Sequence, residues 1–233
     1  MSLLSVSGLT SGYGLVQVLF GLDLEVAEGE VMAFVGRNGM GKTTTIRVLT
    51  GELPAYSGSV EFAGSDQTRL AAHLIARRGI GLVPEGRQVF PNLTVEEHLQ
   101  LARARRAGSH WTPERVFELF PRLRERRAQM AGTLSGGEQQ MLAVGRALVG
   151  NPRLLILDEA TEGLAPLVRR EMWTCLEAIA RTGLSVMVVD KNIRALARIA
   201  QRFTVISKGR TIWTGTAAAF VEAEELHQRY LGV

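Results

Sequence analysis

One cysteine, Cys175, stands in 233 residues. A disulfide framework within the chain is therefore impossible, and a reducing, cytosolic setting is expected. Lysine is nearly as scarce. Lys42, Lys191 and Lys208 are the only three among 27 basic residues, the others being arginines. No apolar run approaches the roughly 18 residues of a membrane-spanning helix, and mean hydropathy is +0.08, so the chain is not expected to cross a bilayer by itself. The opening MSLLSVSGLTSGYG has no basic stretch ahead of a long apolar run and does not read as a secretory signal. Acidic residues are slightly outnumbered, leaving a formal charge of +4. That surplus is modest, and no basic run is interleaved with aromatics. It reads as a bias toward arginine before it reads as a face for nucleic acid or anionic lipid.

What is present points to a well-packed chain. Apolar residues make up 46% and charged residues 21%, enough to bury a sizeable core and exclude disorder as the main state. The length suits one domain, 1–233, carrying an inserted subdomain. Glycine is in excess, 25 residues where roughly 7% is usual, and many of these fall in short clusters rather than in polar linkers.

Residues 2–35 read as β-rich, and 30–35 as a buried strand. The spacing turns helical after the glycines at 36–41. Residues 58–62 look like an edge hairpin strand, 69–78 like a helix, and 80–83 like a short strand stopped at Pro84. From about 86 to 150 the reading is helical. Thr94-x-x-Glu97 and Ser135-x-x-Glu138 are capping boxes, the first opening a helix from Val95 to about Arg106. Thr112-Pro113 starts another helix. Buried strands follow at 153–158 and 184–190, with a helix at 167–181 between them. A hairpin turns at Lys208-Gly209, and 217–231 reads as one short helix. Apolar strands alternating with helices imply an α/β fold with a mainly parallel sheet covered on both faces. The core is expected at about 1–85 and 151–233, and the helical insert at about 86–150.

Gly36, Arg37, Asn38, Gly39, Met40, Gly41, Lys42 and Thr43 fit the phosphate-loop pattern G-x-x-x-x-G-K-[ST], between a predicted strand and a predicted helix. Such glycines let successive backbone N–H groups point at phosphate oxygens, and the helix N-terminus adds a positive dipole end. Lys42 can reach the β- and γ-phosphates, and the Thr43 hydroxyl can ligate Mg²⁺. Strand 154–157 ends in Asp158-Glu159. The aspartate suits a Mg²⁺ contact, and the glutamate can polarise an attacking water as general base. Leu134-Ser135-Gly136-Gly137-Glu138 reads as a second phosphate cradle, a capped helix start left bare by its two glycines.

With this segment the chain resembles the ATP-binding subunits of ABC transporters, whose signature is LSGGQ or LSGGE. The resemblance covers essentially the whole chain. It extends to Tyr13 in the adenine-stacking position, to the phosphate loop through Thr44, and to LLILDE at 154–159. It is closest to the ATPases of branched-chain amino-acid importers, through VPEGRQVFPNLTV and EGLAP. Importers of urea or short amides share much of this pattern. The resemblance implies a P-loop NTPase core with an antiparallel β subdomain and a helical insert. It implies ATP and Mg²⁺ as cofactors, and head-to-tail dimers in which each ATP lies between one chain's phosphate loop and the other's Ser135–Glu138 segment. Permease subunits, a second ATPase subunit and, indirectly, an extracytoplasmic solute-binding protein are the implied partners. The implied place is the inner face of the cell membrane, and no nucleic acid is expected. A soluble ABC ATPase acting on DNA or ribosomes is the alternative, but such proteins usually carry tandem domains, coiled-coil arms or basic extensions.

Two positions depart from most of the family. Glu85 stands where a glutamine usually meets Mg²⁺, as in the close subfamily, and can still contact metal. Lys191 stands where most members have a histidine that donates to the γ-phosphate. A flexible lysine there is expected to touch the γ-phosphate or Glu159. The arginines of the insert, from Arg103, Arg105 and Arg106 to Arg127, read as a solvated face.

Overall fold

A computed structural model of the protein describes residues 2–103 and 110–231. Its strands are β1 (Ser2–Tyr13), β2 (Val16–Ala27), β3 (Val31–Val35), β4 (Ser57–Phe62), β5 (Ser65–Asp66), β6 (Ile80–Val83), β7 (Leu154–Asp158), β8 (Ser185–Val189), β9 (Arg202–Ser207) and β10 (Arg210–Thr216). Its helices are α1 (Lys42–Leu49), α2 (Ala72–Arg78), α3 (Val95–Ala102), α4 (Pro113–Leu119), α5 (Pro121–Glu125), α6 (Gly136–Val149), α7 (Pro166–Arg181), α8 (Ile193–Ile199), α9 (Ala217–Glu222) and α10 (Glu224–Tyr230). The class is α/β. One sheet has the order β10-β9-β3-β8-β7-β6, parallel except for the β9–β10 hairpin; the other is antiparallel in the order β2-β1-β4-β5.

The central strands are buried at every position because both faces of the sheet are covered. Alternation then sends successive side chains into two separate cores. Val31, Ala33 and Val35 of β3, with Leu155 and Leu157 of β7, join a cluster that continues through Leu99, Val116 and Val144 of the helical region. Met32 and Phe34, with Leu154 and Ile156, join the other, which the antiparallel sheet and α1 close with Leu4, Leu22 and Ile46. Each such fully buried side chain contributes roughly 1.5–3 kcal/mol relative to exposure. These two cores hold the phosphate-facing end of the sheet rigid between helices and the antiparallel sheet.

Local signals place most boundaries. Both capping boxes form, and Thr112 caps α4 with Pro113 at its first position. Lys208 and Gly209 both have positive φ, as a two-residue type I′ hairpin turn requires. Four expectations need correction. Helix α3 ends at Ala102 because Arg103 turns extended; the rest of the expected span to Arg106, including Arg105, lies outside the described residues. Helix α2 begins at Ala72, not 69. Strand β4 is not an edge: it pairs with β1 on one side and the two-residue β5 on the other. The tail is two helices, broken at Ala223 with φ −86° and ψ 63°, where Phe220 turns in to stack on Phe203 at 4.0 Å. Among the described residues no helix is long and apolar enough to cross a membrane.

Candidate active site

Four adjacent parallel strands deliver the site. Strands β3, β8, β7 and β6 all point their carboxyl ends the same way, so the loops that follow them cluster at one edge. After β3 comes the phosphate loop, after β8 Lys191, at the end of β7 Asp158 and then Glu159, and after β6 Glu85. The register locks this: Asp158 sits opposite Val189, and Glu159 N donates to Val189 O at 2.8 Å.

The loop folds as its glycines allow. Gly41, at the cap of α1, has φ 106°, a conformation that strains any residue with a side chain. Lys42 curls back over the loop, its Nζ donating to Gly36 O at 2.8 Å and Arg37 O at 3.1 Å. This uses two of its three donors. Burial pushes the Lys42 ammonium down, opposed by Glu159 and Asp158. The loop's other side chains divide. Asn38 lines a cavity of about 480 Å³ with Gly39, Lys42 and Thr43. Arg37 donates to Gln228 O of α10 at 3.3 Å, and the Met40 sulfur accepts from Lys208 N at 3.3 Å. Tyr13 lies beside the start of α1, with its hydroxyl 3.4 Å from Thr44 Oγ1 and the Arg47 guanidinium 5.9 Å from its ring centre.

Beside Thr43 of the loop, Asp158 is 4% exposed and its Oδ1 has no hydrogen-bond partner. A buried, unsatisfied carboxylate oxygen is costly. Desolvation, and then Glu85, push its pKa up, while Lys42 and a Thr43 hydrogen bond oppose them. This orphaned hard-oxygen ligand, the Thr43 hydroxyl and the loop amides fit a phosphate-bound divalent cation. Desolvation raises the Glu159 carboxyl from 4.5 to about 7, assisted by its hydrogen bond to Glu162 and the negative charge there. Glu159 also takes a left-handed φ of 51°. Lys191 Nζ lies 3.4 Å from Glu159 Oε2 and 2.7 Å from Glu162 Oε1.

Glu162 was not among the residues expected from sequence. Its carboxylate meets those of Glu85 and Glu159, with one oxygen of each within 4.8 Å of the others. The signal that could have found it is charge balance: a lysine set among acidic residues requires a counter-ion. The Ser135–Glu138 segment is not brought to this cavity. Ser135 Oγ caps Glu138 N, and the Glu138 carboxylate accepts from Ser135 N at 2.8 Å and pairs with Arg126 at 2.6 Å. A Cβ on Gly136 would fall 2.5 Å from the Arg87 guanidinium, and one on Gly137 2.3 Å from Val168. Close approach of the short Val168 side chain thus favours glycine at 137, whereas at 136 the flexible Arg87 side chain can move aside. Ser135 itself is exposed.

A strand, a glycine-rich loop, a helix capped by its last glycine and a buried aspartate on the neighbouring strand define a P-loop nucleotide-binding protein. The family model for the ABC transporter matches residues 19–162, more than half of the chain. The high-affinity branched-chain amino acid transport ATP-binding protein BraG of Pseudomonas aeruginosa is 40% identical over 99% of this chain and 100% of its own. The lipopolysaccharide export system ATP-binding protein LptB of Escherichia coli is 30% identical over 100% and 98%. Among solved structures, a nucleotide-free ATP-binding cassette from an ABC transporter superposes with TM-score 0.82 at 25% identity, over 95% of this chain and 94% of that one. The chain belongs to the ABC transporter family and is one of its ATP-hydrolysing ATP-binding proteins.

Proposed function

We propose that this chain energises a multi-subunit importer of branched-chain or related amino acids. The observation that carries this reading is the 40% identity to BraG, which runs the length of both chains. In this reading the loop amides and Lys42 hold and orient the ATP phosphates, and Tyr13 offers its ring to the adenine. Thr43, Asp158 and Glu85 hold Mg²⁺, which neutralises phosphate charge when bound. Glu159 accepts the proton of the attacking water. Its pKa near neutrality suits a general base, because it gains the proton readily yet is largely ionised above pH 7. Lys191 stands beside it as a donor toward the terminal phosphate.

The Ser135–Gly137 helix start completes the site of a second ATPase subunit, and that subunit completes this one. The exposure of Ser135 and its separation from the phosphate-loop cavity support this arrangement. Permease subunits take up the motion, a solute-binding protein delivers the solute from outside, and this chain sits peripherally on the inner face of the membrane. Its core and helical insert keep the boundaries at about residues 86 and 150. The helical cluster nonetheless runs without a gap into one face of the sheet.

Affinity purification from native membranes tests the reading. Copurification of permeases with an amino-acid-binding protein supports it, whereas copurification with lipopolysaccharide-export components favours the role of the 30%-identical relative.

A further inference from the structure

We infer that the groove between α7 and α8 is a second anion site of this chain, and that it takes a phosphate group. It shares no lining residue with the cavity over the phosphate loop, so it goes beyond the ATP reading and does not rest on it. Two helix faces build it. Arg170, Trp173 and Glu177 recur on α7 at spacings of three and four, and Arg194 and Arg198 are four apart on α8. Each set therefore shares one face of its helix. The two faces, with Arg169, line a cavity of about 460 Å³, within the roughly 300–1,000 Å³ usual for small-ligand sites.

Charge sets this groove apart. Four guanidinium groups line it against the single carboxylate of Glu177, a net of +3. All four arginines are exposed, so a ligand can reach them. Glu177 does not neutralise them. Its Oε1 lies 3.8 Å from Arg198 and its Oε2 3.9 Å from Arg181, both at the long end of ion pairing. Arg169 spends one donor on Leu164 O at 3.0 Å. Among the described residues, no ion pair or hydrogen bond occupies the guanidinium of Arg170 or Arg194. Like charges gathered this way repel, and a bound anion turns that repulsion into attraction. Trp173 adds an independent sign. It is 7% exposed, and its indole N–H is buried without a hydrogen-bond partner. Buried donors are rarely left so, and an oxygen held in the cavity that Trp173 lines is an acceptor the fold leaves room for. The oxygens of one tetrahedral phosphate can accept from several guanidinium forks at once, whereas a carboxylate offers two. The ligand chemistry is therefore a phosphate, free in solution or at the head of an anionic phospholipid.

The test uses the full chain, isotope-labelled at the tryptophan indole nitrogens, with a nonhydrolysable ATP analogue and Mg²⁺ filling the phosphate loop. Titration with inorganic phosphate, followed by NMR, should move the Trp173 indole signal saturably, and further than those of Trp111 and Trp213. Loss of one signal in Trp173→Phe assigns it. Arg170→Gln combined with Arg194→Gln should weaken the response about tenfold or more, with the melting temperature and the affinity for the analogue little changed. A second arm replaces phosphate by phosphatidylglycerol vesicles, with phosphatidylcholine vesicles as control. A saturable response to inorganic phosphate assigns the free ion. Retention on phosphatidylglycerol alone, lost in the double variant, assigns the headgroup. No response in either arm, an equal response to succinate, or one undiminished in the double variant overturns the proposal.

Discussion

Replacing Glu159 by glutamine should make the nucleotide-free protein more stable, and the gain should depend on pH. The folded chain holds this carboxyl at about 7, against an ordinary 4.5. Between those values the folded state binds more protons than the unfolded state, so stability falls as pH rises through the window. Each pH unit of such displacement is worth about 1.36 kcal/mol, which caps the destabilisation near 3 kcal/mol. The group borders an open cavity shared with Lys191 and Glu162, and solvent screening brings the expected figure to about 1–2 kcal/mol. Glutamine is nearly isosteric, carries no charge, and keeps an N–H to donate to Glu162. Urea denaturation of parent and variant at pH 4.5 and pH 8 measures the difference directly. The two should nearly coincide at the lower pH and separate by about 1–2 kcal/mol at the higher. A difference that stays constant, or that shrinks as pH rises, would refute the desolvation of Glu159. The same variant should lose hydrolysis, so one substitution exchanges activity for stability at a site that stores a desolvated charge.

Gly36→Ala places a Cβ 2.5 Å from Ile206 O and 2.9 Å from its Cγ2. It should lower stability by about 1–3 kcal/mol in urea titration and weaken the binding of a fluorescent ATP analogue by displacing the loop. Burial, with Glu171 nearby, pushes the Cys175 thiol up to about 11 from 9.0, and Sγ donates to Leu119 O at 3.4 Å. Thiol modification at pH 8 should therefore run about a hundredfold slower in the native chain than in the urea-unfolded chain.

Much of this protein was legible in its sequence because its chemistry rests on local backbone rules. The phosphate loop needs glycines where the chain curls and a lysine at a set spacing. Capping boxes at Thr94 and Ser135 mark helix starts through interactions only three residues long. Buried parallel strands announce themselves as short apolar runs. The expected helix over 69–78, which starts three residues late, and the single tail helix, which breaks at Ala223, missed for a common reason. Neither boundary carries a side-chain cap: Ala71 and Ala223 stand at the two helix starts, and at the tail Phe220 turns in onto Phe203.

By itself the sequence determined the class of fold, the phosphate-binding loop, and the candidate acids at 158 and 159, all of which depend on residues adjacent in the chain. Tertiary structure decided that Glu85, far off in sequence, and Lys191, whose approach the resemblance implied, converge on Glu159, and that Glu162, three residues along the chain, joins them. The physical reason is that strand order and register place the loops after β6, β7 and β8 side by side, and no local pattern encodes strand order. It also decided that Asp158 is left with an unsatisfied buried oxygen, and that the lysine scarcity ends with two of the three lysines lining one cavity, where carboxylates compete for the charge of Lys191.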